Sequence, residues 1–374
     1  MTDRPVKTLG DVAKWGSGGT PQSGVAEYYD GDIPWCVIGD LTEGDVWTTE
    51  KCITEAGLSN SSAKIVEVGA ILIAMYGASI GRTGVVRSRM ATNQAIAFAY
   101  ANEEVISSDY LLKYLQSQRS ALNIAGRGSA QPNISQQVLK AWSIPVPPLE
   151  EQKRIVELLD AATARIAELT ACYEQARTHA NNLFTSALSS ALEGNPVWPV
   201  MTLGEVCEVA RGTSITRKDT KEGMIPVVAG GIDVAYFHSV QNRPAGTITV
   251  SSSGANAGFV NRWDVPIFAS DCSTVVAKEG GMVFSDYAFR FLQLKQNFIN
   301  AELRRGAAQP HVYAKDIAAI EIPVPPMEEQ KRIVARLDSM KAKTTEMVAA
   351  YDAKLAAAKN LRQSILEAAF GGDL

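Results

Sequence analysis

The chain carries one stretch of sequence twice. Residues 144–160 read IPVPPLEEQKRIVELLD, and residues 322–338 read IPVPPMEEQKRIVARLD. Fourteen of the seventeen positions are identical at an offset of 178 residues. A segment kept this closely over such a separation indicates an internal repeat, in which one structural unit occurs twice.

Weaker matches extend the repeat over the whole chain. The sequence TLGDV at 8–12 recurs as TLGEV at 202–206, and GSAQPNIS at 128–135 recurs as GAAQPHVY at 306–313. The offset is 194 at the first match and 177 to 178 from Gly77 onwards, so the first copy holds about seventeen extra residues, mostly between Leu41 and Gly77. We therefore expect two globular modules that share a frame, differ in their loops and are each followed by the same kind of tail.

Each copy of the quoted segment begins a predicted long helix. The paired prolines at 147–148 and 325–326 favour extended backbone before the helix, and the glutamates that follow suit the positive end of its dipole. Glycines at Gly194 and at 371–372 end the helices after about 45 residues, or roughly 65 Å. Apolar residues alternate at intervals of four and three, which is typical of a coiled-coil seam. The predicted seam comprises Ile155, Leu159, Ala162, Ile166, Leu169, Tyr173, Ala176, Ala180, Leu183 and Ala187, then Ile333, Leu337, Met340, Thr344, Met347, Tyr351, Lys354, Ala358, Leu361 and Ile365.

A helix with one apolar stripe needs a partner for that stripe. Equal lengths and matching seams favour an antiparallel coiled coil between the two helices; the alternative is that each packs only on its own module. Short apolar runs such as AILIAMYG at 70–77, separated by Gly, Ser, Asn and Thr, predict strands. We predict an α+β fold with mixed α/β modules at 1–148 and 195–326, and long helices at 149–194 and 327–374.

Composition and charge limit the classes of function. The 374 residues are 46% hydrophobic and 20% charged, which is typical of a soluble globular protein. The net charge is −4 without a strongly basic block, so DNA binding would depend on local clusters or on a partner. No apolar run is long enough to span a membrane, and MTDRPVKTLG lacks a signal-peptide core. The scattered cysteines favour free thiols in a reducing cytoplasm, with a buried disulfide or metal site as the alternative. They are Cys36, Cys52, Cys172, Cys207 and Cys272.

The common signatures of enzyme chemistry are missing from the sequence. There is no P-loop and no HExxH, and the three histidines His179, His238 and His311 have no partner at metal-ligand spacing. The stretch GASIGRTG at 77–84 lacks the strand–helix context and the downstream acidic residue of a dinucleotide fingerprint. We therefore predict a chain that has no active site, metal or cofactor of its own.

Polar loops in both modules are the candidate binding elements. Arg, Lys, Asn, Gln, Ser and Thr beside glycine can approach phosphates or reach base edges; the alternative is that these are ordinary solvated loops. The candidates in the first module are Ser17, Thr20, Gln22, Tyr76, Ser79, Arg82, Thr83, Asn93, Arg127, Gln131 and Asn133. Those in the second are Arg211, Thr213, Ser214, Arg217, Lys218, Ser252, Asn256, Arg304, Arg305, Gln309, His311 and Tyr313.

Two polar-looped modules, each ending in IPVPPxEEQKRIV and a long helix, resemble the specificity subunit of a type I restriction-modification system. The resemblance covers the chain from TLGDV to the last helix. It implies that each module is a target recognition domain reading one half of a bipartite, asymmetric DNA sequence, with the paired helices as the spacer. It also implies partners: two methyltransferase subunits that use S-adenosylmethionine, and restriction subunits that use ATP and Mg. The chain itself would catalyse nothing.

Two other interpretations stay open at the level of sequence. The modules and helices could form a scaffold that brings two partner proteins together without reading DNA. The chain could also be an enzyme acting alone, which methyl transfer from S-adenosylmethionine to DNA by the isolated chain would reveal.

Overall fold

The structure, a computed structural model, describes residues 5–127, 132–193, 197–306 and 310–371. It divides into two compact units, one comprising Met1–Tyr173 with Lys354–Leu374 and the other Glu174–Ala353. Each unit therefore contains one of the two modules and a part of both long helices. Within the described residues, no helix combines the length and the apolar character that a membrane crossing requires.

The first module alternates short strands with short helices. Its strands are β1 (Val6–Thr8), β2 (Ala13–Ser17), β3 (Tyr29–Cys36), β4 (Asp45–Val46), β5 (Cys52–Ile53), β6 (Lys64–Val66), β7 (Ile71–Ala74), β8 (Thr83–Val86), β9 (Met90–Thr92), β10 (Ile96–Ala101) and β11 (Ser143–Pro145). Its helices are α1 (Leu9–Val12), α2 (Glu55–Ser59), α3 (Ser108–Ser117), α4 (Arg119–Ala125) and α5 (Gln136–Ala141), followed by α6 (Leu149–Glu193). The strands form sheets in the orders β2-β10-β7-β8-β4, β5-β3-β9-β6 and β1-β11.

The larger sheet is buried on both faces. Alternate residues of a strand point to opposite faces, so Ile71 and Ile73 of β7 face the cluster built around α3, while Leu72 and Ala74 face a second cluster. All four are at most 1% exposed. This burial explains why β7 reads as a continuous apolar run rather than as an alternating pattern.

The second module repeats this plan with fewer strands. Its strands are β12 (Val200–Thr202), β13 (Cys207–Arg211), β14 (Ile225–Val228), β15 (Tyr236–His238), β16 (Thr247–Ser251), β17 (Val260–Trp263), β18 (Phe268–Ala269), β19 (Cys272–Ala277) and β20 (Glu321–Pro323). Its helices are α7 (Leu203–Val206), α8 (Ser285–Leu294), α9 (Gln296–Phe298) and α10 (Ala314–Ala318), followed by α11 (Met327–Gly371). The sheet orders are β13-β19-β16-β17, β15-β14-β18 and β12-β20.

One π-helical turn accounts for a change in the repeat's register. The offset between the copies is 177 at Asp109 and 178 at Gly128, so the second copy has gained one residue between these points. In the first copy this region is the regular helix α4, whereas the second copy forms a π-helix over Ile299–Leu303. A π turn accommodates one extra residue within a helix, so the flanking frame keeps its geometry.

A buried glutamine fixes the start of each long helix to its module. The side-chain oxygen of Gln152 accepts from the Ser107 N–H at 2.9 Å, and its amide donates to the carbonyls of Val105 at 3.0 Å and Pro147 at 2.8 Å. Gln152 is fully buried, and with these three bonds both ends of its amide are paired.

The second copy reproduces this arrangement. Gln330 accepts from the Phe284 N–H at 2.7 Å and donates to the carbonyls of Met282 at 2.7 Å and Pro325 at 2.8 Å. Like Gln152, it is fully buried. The EEQKRI segment is therefore repeated because it carries this anchor, together with the apolar positions that follow it.

The two long helices pair antiparallel within each unit, as the sequence predicts. In the first unit, Leu159 of α6 shares a buried cluster with Leu366 of α11, and the Lys354 Nζ lies 5.3 Å from the centroid of the Tyr173 ring. Early residues of one helix thus meet late residues of the other.

The two helices are also antiparallel in the second unit. The Arg177 guanidinium bonds Asp352 at 3.1 Å, and Leu192 shares a cluster with Ile333. Position 177 of α6 thus meets position 352 of α11, and the later position 192 meets the earlier position 333.

The predicted heptad seam is wrong at four of its apolar positions. Leu169, Leu183, Met347 and Leu361 are between 39% and 51% exposed, whereas Thr344, which interrupts the predicted apolar pattern, is 8% exposed. A strict seven-residue repeat advances 3.5 residues per turn, whereas a straight α-helix has 3.6, so the buried stripe drifts away from the predicted positions.

Candidate nucleic-acid interface

Two polar loops that are far apart in the sequence meet in each module. In the first, Tyr76 forms an isolated antiparallel bridge with Asn133, and the Gly77 N–H donates to the Pro132 carbonyl at 2.9 Å. Both of these loops carry candidate contact residues, and the fold brings them to one place.

The second module contains the equivalent contact between two loops, and we call this contact the junction of each module. Ser253 bridges His311, and the Gly254 N–H donates to the Pro310 carbonyl at 3.2 Å. The offsets from the first module are 177 and 178, as the repeat requires.

A glycine in the left-handed region shapes the turn of each junction. Gly81 has φ +80, and a Cβ there would lie 3.0 Å from the Arg119 Cα. Its counterpart Gly258 has φ +90. The residue directly after this glycine differs between the copies. It is the half-buried Arg82 in the first module and the exposed Phe259 in the second. The turn is thus shared, but the side chain that it presents is not.

A second pair of loops follows the first strand of each larger sheet. The Gly19 N–H donates to the Thr92 carbonyl at 3.0 Å, and the Thr213 N–H donates to the Ala269 carbonyl at 2.9 Å. These bonds hold the loop backbone against a neighbouring strand. The predicted residues that this leaves exposed are Thr20, Gln22, Arg211, Thr213, Ser214, Arg217 and Lys218, whereas Ser17 is half-buried.

Some predicted contact residues point into the modules. Thr83 is fully buried and accepts from the Gln116 amide at 3.3 Å, and Ser252 is 8% exposed. Half-buried Asn93 accepts from the Ala95 N–H at 3.1 Å, which stabilises its own turn. Thr83 therefore has no surface that could contact DNA and Ser252 has very little, so neither prediction fits the interface.

The other predicted residues of the second module lie near its junction. The Arg304 guanidinium lies 3.5 Å from the Ala255 carbonyl, and Arg305 forms an ion pair with Asp316 at 3.1 Å. The ring of His311 stacks with that of Tyr313 at a centroid distance of 6.3 Å. Of the predicted residues not yet placed in either module, Tyr76, Arg127, Asn133 and Asn256 are exposed and Ser79 is half-buried. Gln131 and Gln309 lie outside the described residues.

The buried thiols and histidine have structural surroundings. Burial raises the pKa of the thiols of Cys36 and Cys272 to about 12 and that of Cys207 to about 11, so they are protonated at neutral pH. The Nδ1 of His238 accepts from the Lys221 N–H at 3.0 Å. Within the part of the chain that the structure describes, no three His, Cys, Asp or Glu side chains come together in a way that could hold a metal.

The candidate set drawn from the sequence missed one group of charged residues. Arg119 and Arg362 both contact Glu43 in the first unit, at the edge of a cavity. None of the three lies in a loop that the sequence had singled out, and Glu43 and Arg362 are 319 residues apart. A comparison of the two copies of the repeat could have identified these arginines, because the charge is present in one copy only. The second copy has Gln296 where the first has Arg119, and Phe184 where the first has Arg362.

A family model matches most of the chain. It describes the type I restriction modification DNA specificity domain and matches residues 1–175 and 196–356, one match for each copy of the repeat.

Curated relatives belong to the same class. A type I restriction enzyme specificity subunit from Escherichia coli is 30% identical over 160 residues, which is 41% of this chain and 39% of that protein. The MjaIX specificity subunit from Methanocaldococcus jannaschii is 32% identical over 162 residues, or 42% of this chain and 37% of the relative. These two matches thus span less than two fifths of the relatives' own length. The MjaVIII specificity subunit from the same organism is 23% identical over 90% of this chain and 86% of its own length.

Solved structures share the fold. A chain from a structure of the assembly and conformational transition of the type I R-M system superposes with a TM-score of 0.80 at 21% identity, covering 99% of this chain and 98% of that one. The HsdS subunit from Thermoanaerobacter tengcongensis gives 0.63 at 20% identity and covers 100% and 98% of the two chains.

Proposed function

The chain belongs to the type I restriction modification DNA specificity domain family, and from this premise we propose that it is the DNA sequence-specificity subunit of a type I restriction-modification system. Each module reads one half of a bipartite, asymmetric DNA target. The junctions at Tyr76–Asn133 and Ser253–His311, with the loops after β2 and β13, supply the contacts.

One observation carries this proposal: the frame of the two modules is duplicated, whereas the side chains on its loops are not. Gln152 and Gln330 make the same three hydrogen bonds, but Arg82 is replaced by Phe259 at the equivalent turn. Base edges are distinguished by hydrogen-bond donors, acceptors and apolar contacts, so two loops with different side chains read different bases. A scaffold for two identical proteins would have no use for unlike loops on a common frame.

The same duplication supports a set of partners. Two copies of one methyltransferase subunit would meet the two copies of the frame, since a repeated surface suits a repeated partner. Those subunits bind S-adenosylmethionine, and the restriction subunits use ATP and Mg. The specificity chain itself contributes no catalytic group and works in the cytoplasm.

The net charge of −4 is consistent with this division of labour. A protein that bound DNA alone would carry a basic excess to neutralise phosphates. Sharing the duplex with methyltransferase subunits removes this requirement.

Mapping of DNA methylation in cells with and without the gene tests the proposal. We expect methylated adenine in one motif made of two specified halves and an unspecified gap, which disappears when the gene is deleted. Sequence-independent binding by the assembled complex at physiological salt would favour the scaffold instead. A single continuous motif would contradict the assignment of one half to each module.

A further inference from the structure

The first unit contains a cavity of about 630 Å³ between α4 and the C-terminal part of α11. Arg119, Arg127, Lys359 and Arg362 line it, and Glu43 is the one carboxylate among the described residues of its wall. Four cationic side chains against one carboxylate leave a surplus of three positive charges. A concave site lined by one sign of charge focuses the field and concentrates ions of the opposite sign.

Glu43 holds two of these cations in place. One of its carboxylate oxygens accepts from the Arg119 guanidinium, and the other lies 3.1 Å from Nη1 of Arg362. A guanidinium has five N–H donors in a rigid plane, so each arginine retains donors beyond the bond to Glu43. The pair is therefore positioned in advance for a second acceptor.

The backbone of Glu43 is itself unusual. Its φ is +65, a left-handed conformation that non-glycine residues seldom adopt. Its N–H donates to the Thr83 carbonyl at 2.9 Å, and its own carbonyl accepts from the Gln116 amide at 3.3 Å. Such conformations persist where surrounding contacts enforce them, and they cluster at binding sites.

The other two cations of the cavity are Arg127 and Lys359. Across residues 5–127, 132–193, 197–306 and 310–371, no carboxylate lies within ion-pair distance of Arg127 or Lys359, and both side chains are exposed. Their charges can therefore act on a ligand in the cavity.

The second copy of the repeat does not keep this set of charges. Gln296 replaces Arg119, Asn181 replaces Lys359 and Phe184 replaces Arg362, while Glu43 lies in the extra segment of the first copy. Only Arg127 keeps a cationic counterpart, Arg305, and that residue forms an ion pair with Asp316. Phe184 instead lies 5.9 Å from the guanidinium carbon of Arg290 and 5.9 Å from the Lys341 Nζ.

We propose that the cavity lined by Arg119, Arg127, Lys359 and Arg362 binds a phosphate group. Arginine pairs and lysines are the side chains that recognise phosphate oxygens, and the volume is that of a site for a nucleotide-sized ligand. Ala78, between candidate residues Tyr76 and Ser79, lines the same cavity. Insofar as the phosphate comes from DNA, the inference rests on the proposed function: the backbone beside the first half-site would enter the cavity, with no equivalent contact in the second unit.

The first arm of the test measures DNA binding by the complex assembled with its methyltransferase subunits. The variant Arg127→Gln/Lys359→Gln removes the two cations that have no carboxylate partner among the described residues, and it leaves the Glu43 ion pairs intact. The control, Lys343→Gln, removes an exposed charge from α11 outside the cavity. We expect the slope of log K against log salt to fall by about 0.9 for each DNA phosphate that the double variant no longer neutralises. The affinities for the target and for unrelated DNA should fall by the same factor.

The second arm uses the full chain alone with inorganic phosphate as the probe. Thermal unfolding is followed in sodium phosphate and in sodium chloride of equal ionic strength. Because phosphate stabilises many proteins through exclusion from their surfaces, the quantity of interest is the difference between the double variant and Lys343→Gln. We expect the double variant to lose part of the stabilisation by phosphate that the control retains.

The combined outcomes identify the source of the phosphate. If the double variant loses both the salt-dependent DNA affinity and the stabilisation by phosphate, the ligand of the cavity is the DNA backbone. If it loses only the stabilisation by phosphate, the ligand is a free phosphate group. If the double variant matches the control in both arms, the proposal is wrong. A wild-type complex with no preference for any DNA sequence would instead refute the proposed function, and the second arm would still decide whether the cavity binds phosphate.

Discussion

Gln152 in the first unit and Gln330 in the second make the same three hydrogen bonds, whereas Arg362 and Phe184, also 178 positions apart, make different contacts. Arg362 bonds Glu43, while Phe184 packs against the cations of Arg290 and Lys341. Both pairs of positions lie on the long helices, so the difference does not come from the elements that carry them.

The contrast shows where the repeat is constrained. A buried amide must satisfy every donor and acceptor, so a change at Gln152 or Gln330 leaves partners unpaired in a fully buried site. Positions at the edge of a module meet solvent, and their side chains can change with little effect on folding. The frame of both units has therefore been kept, while the surfaces have become different.

Replacing each anchoring glutamine is the sharpest test of the shared frame. Gln152→Met and Gln330→Met keep the approximate shape of the side chain but remove its hydrogen bonds. Each change strands one N–H and two carbonyl groups, so we expect each to lower the free energy of unfolding by about 3 kcal/mol. Denaturant titration of both variants gives the two values.

Equal losses would show that the two copies are energetically equivalent. A large loss in one variant and none in the other would contradict the equivalence of the two frames. Glu150→Gln and Glu328→Gln are suitable controls, because both side chains are outside the core two positions before the anchors and should have little effect.

Replacing loop arginines tests whether each module reads one half of the proposed target. Arg82→Ala in the first module and Arg211→Ala in the second should each cost about 2 kcal/mol of discrimination, roughly 30-fold, if the side chain contacts a base. We expect each variant to relax the preference at one half-site and leave the other unchanged. Selection from a DNA library that is randomised in both halves measures this effect, and each variant is the control for the other. Loss at both halves in either variant would contradict one module per half-site.

The long helices could be predicted because their signals are local. Proline pairs precede them, glutamates occupy their first turns and glycines follow their ends, and the structure places the helices at Leu149–Glu193 and Met327–Gly371. Which seam positions are buried could not be predicted throughout, because a heptad template has no information on how straight the helix is. Leu169 and Leu361 are apolar and lie at heptad positions, yet they are exposed.

The geometry of the candidate interface was predictable only in part. Polar residues beside glycine located the loops, but the pairing of Tyr76 with Asn133 depends on contacts across 57 residues. The exposure of a threonine could not be predicted either, since Thr83 belongs to a strand that is buried on both faces. The Glu43 ion pairs join residues from three distant segments, for which a single sequence contains no periodic signal.

Alanine at the turn glycines compares the two junctions at finer scale. Gly81 and Gly258 both have positive φ, but an added Cβ would meet the Arg119 backbone in the first unit and the side chains of Asn300 and Ile299 in the second. Side chains can shift more readily than backbone, so Gly81→Ala should be the more destabilising by about 1 kcal/mol. Thermal unfolding of both variants measures the difference. Gly77→Ala is the control for the cost of positive φ alone, because among the described residues no heavy atom beyond its chain neighbours lies within 4 Å of an added Cβ. A smaller loss for Gly81→Ala than for Gly258→Ala would contradict this view of the turn.

The smallest expected effect concerns the carboxylates that cap α1 and α7. The Thr8 N–H donates to Asp11 at 3.0 Å, and the Thr202 N–H donates to Glu205 at 2.7 Å. Hydrogen bonds from the threonines lower the pKa of both carboxyls in the folded state. A carboxyl whose folded pKa is lowered stabilises the protein above its unfolded pKa, and this stabilisation is lost as pH falls through the folded value.

Asp11→Ala and Glu205→Ala should therefore each lower the melting temperature slightly at pH 7. The difference from the wild type should shrink as the pH falls below about 4, because protonation then removes the same interaction from the wild type. Some of the difference in melting temperature comes from lost helix capping that does not depend on charge, and this part remains at every pH. The part that changes with pH therefore reports the contribution of the carboxylate charge. Melting curves between pH 7 and pH 3 give both parts for each unit. A pH-dependent part in only one of the two variants would mean that these caps, unlike the buried glutamines, are no longer equivalent between the copies.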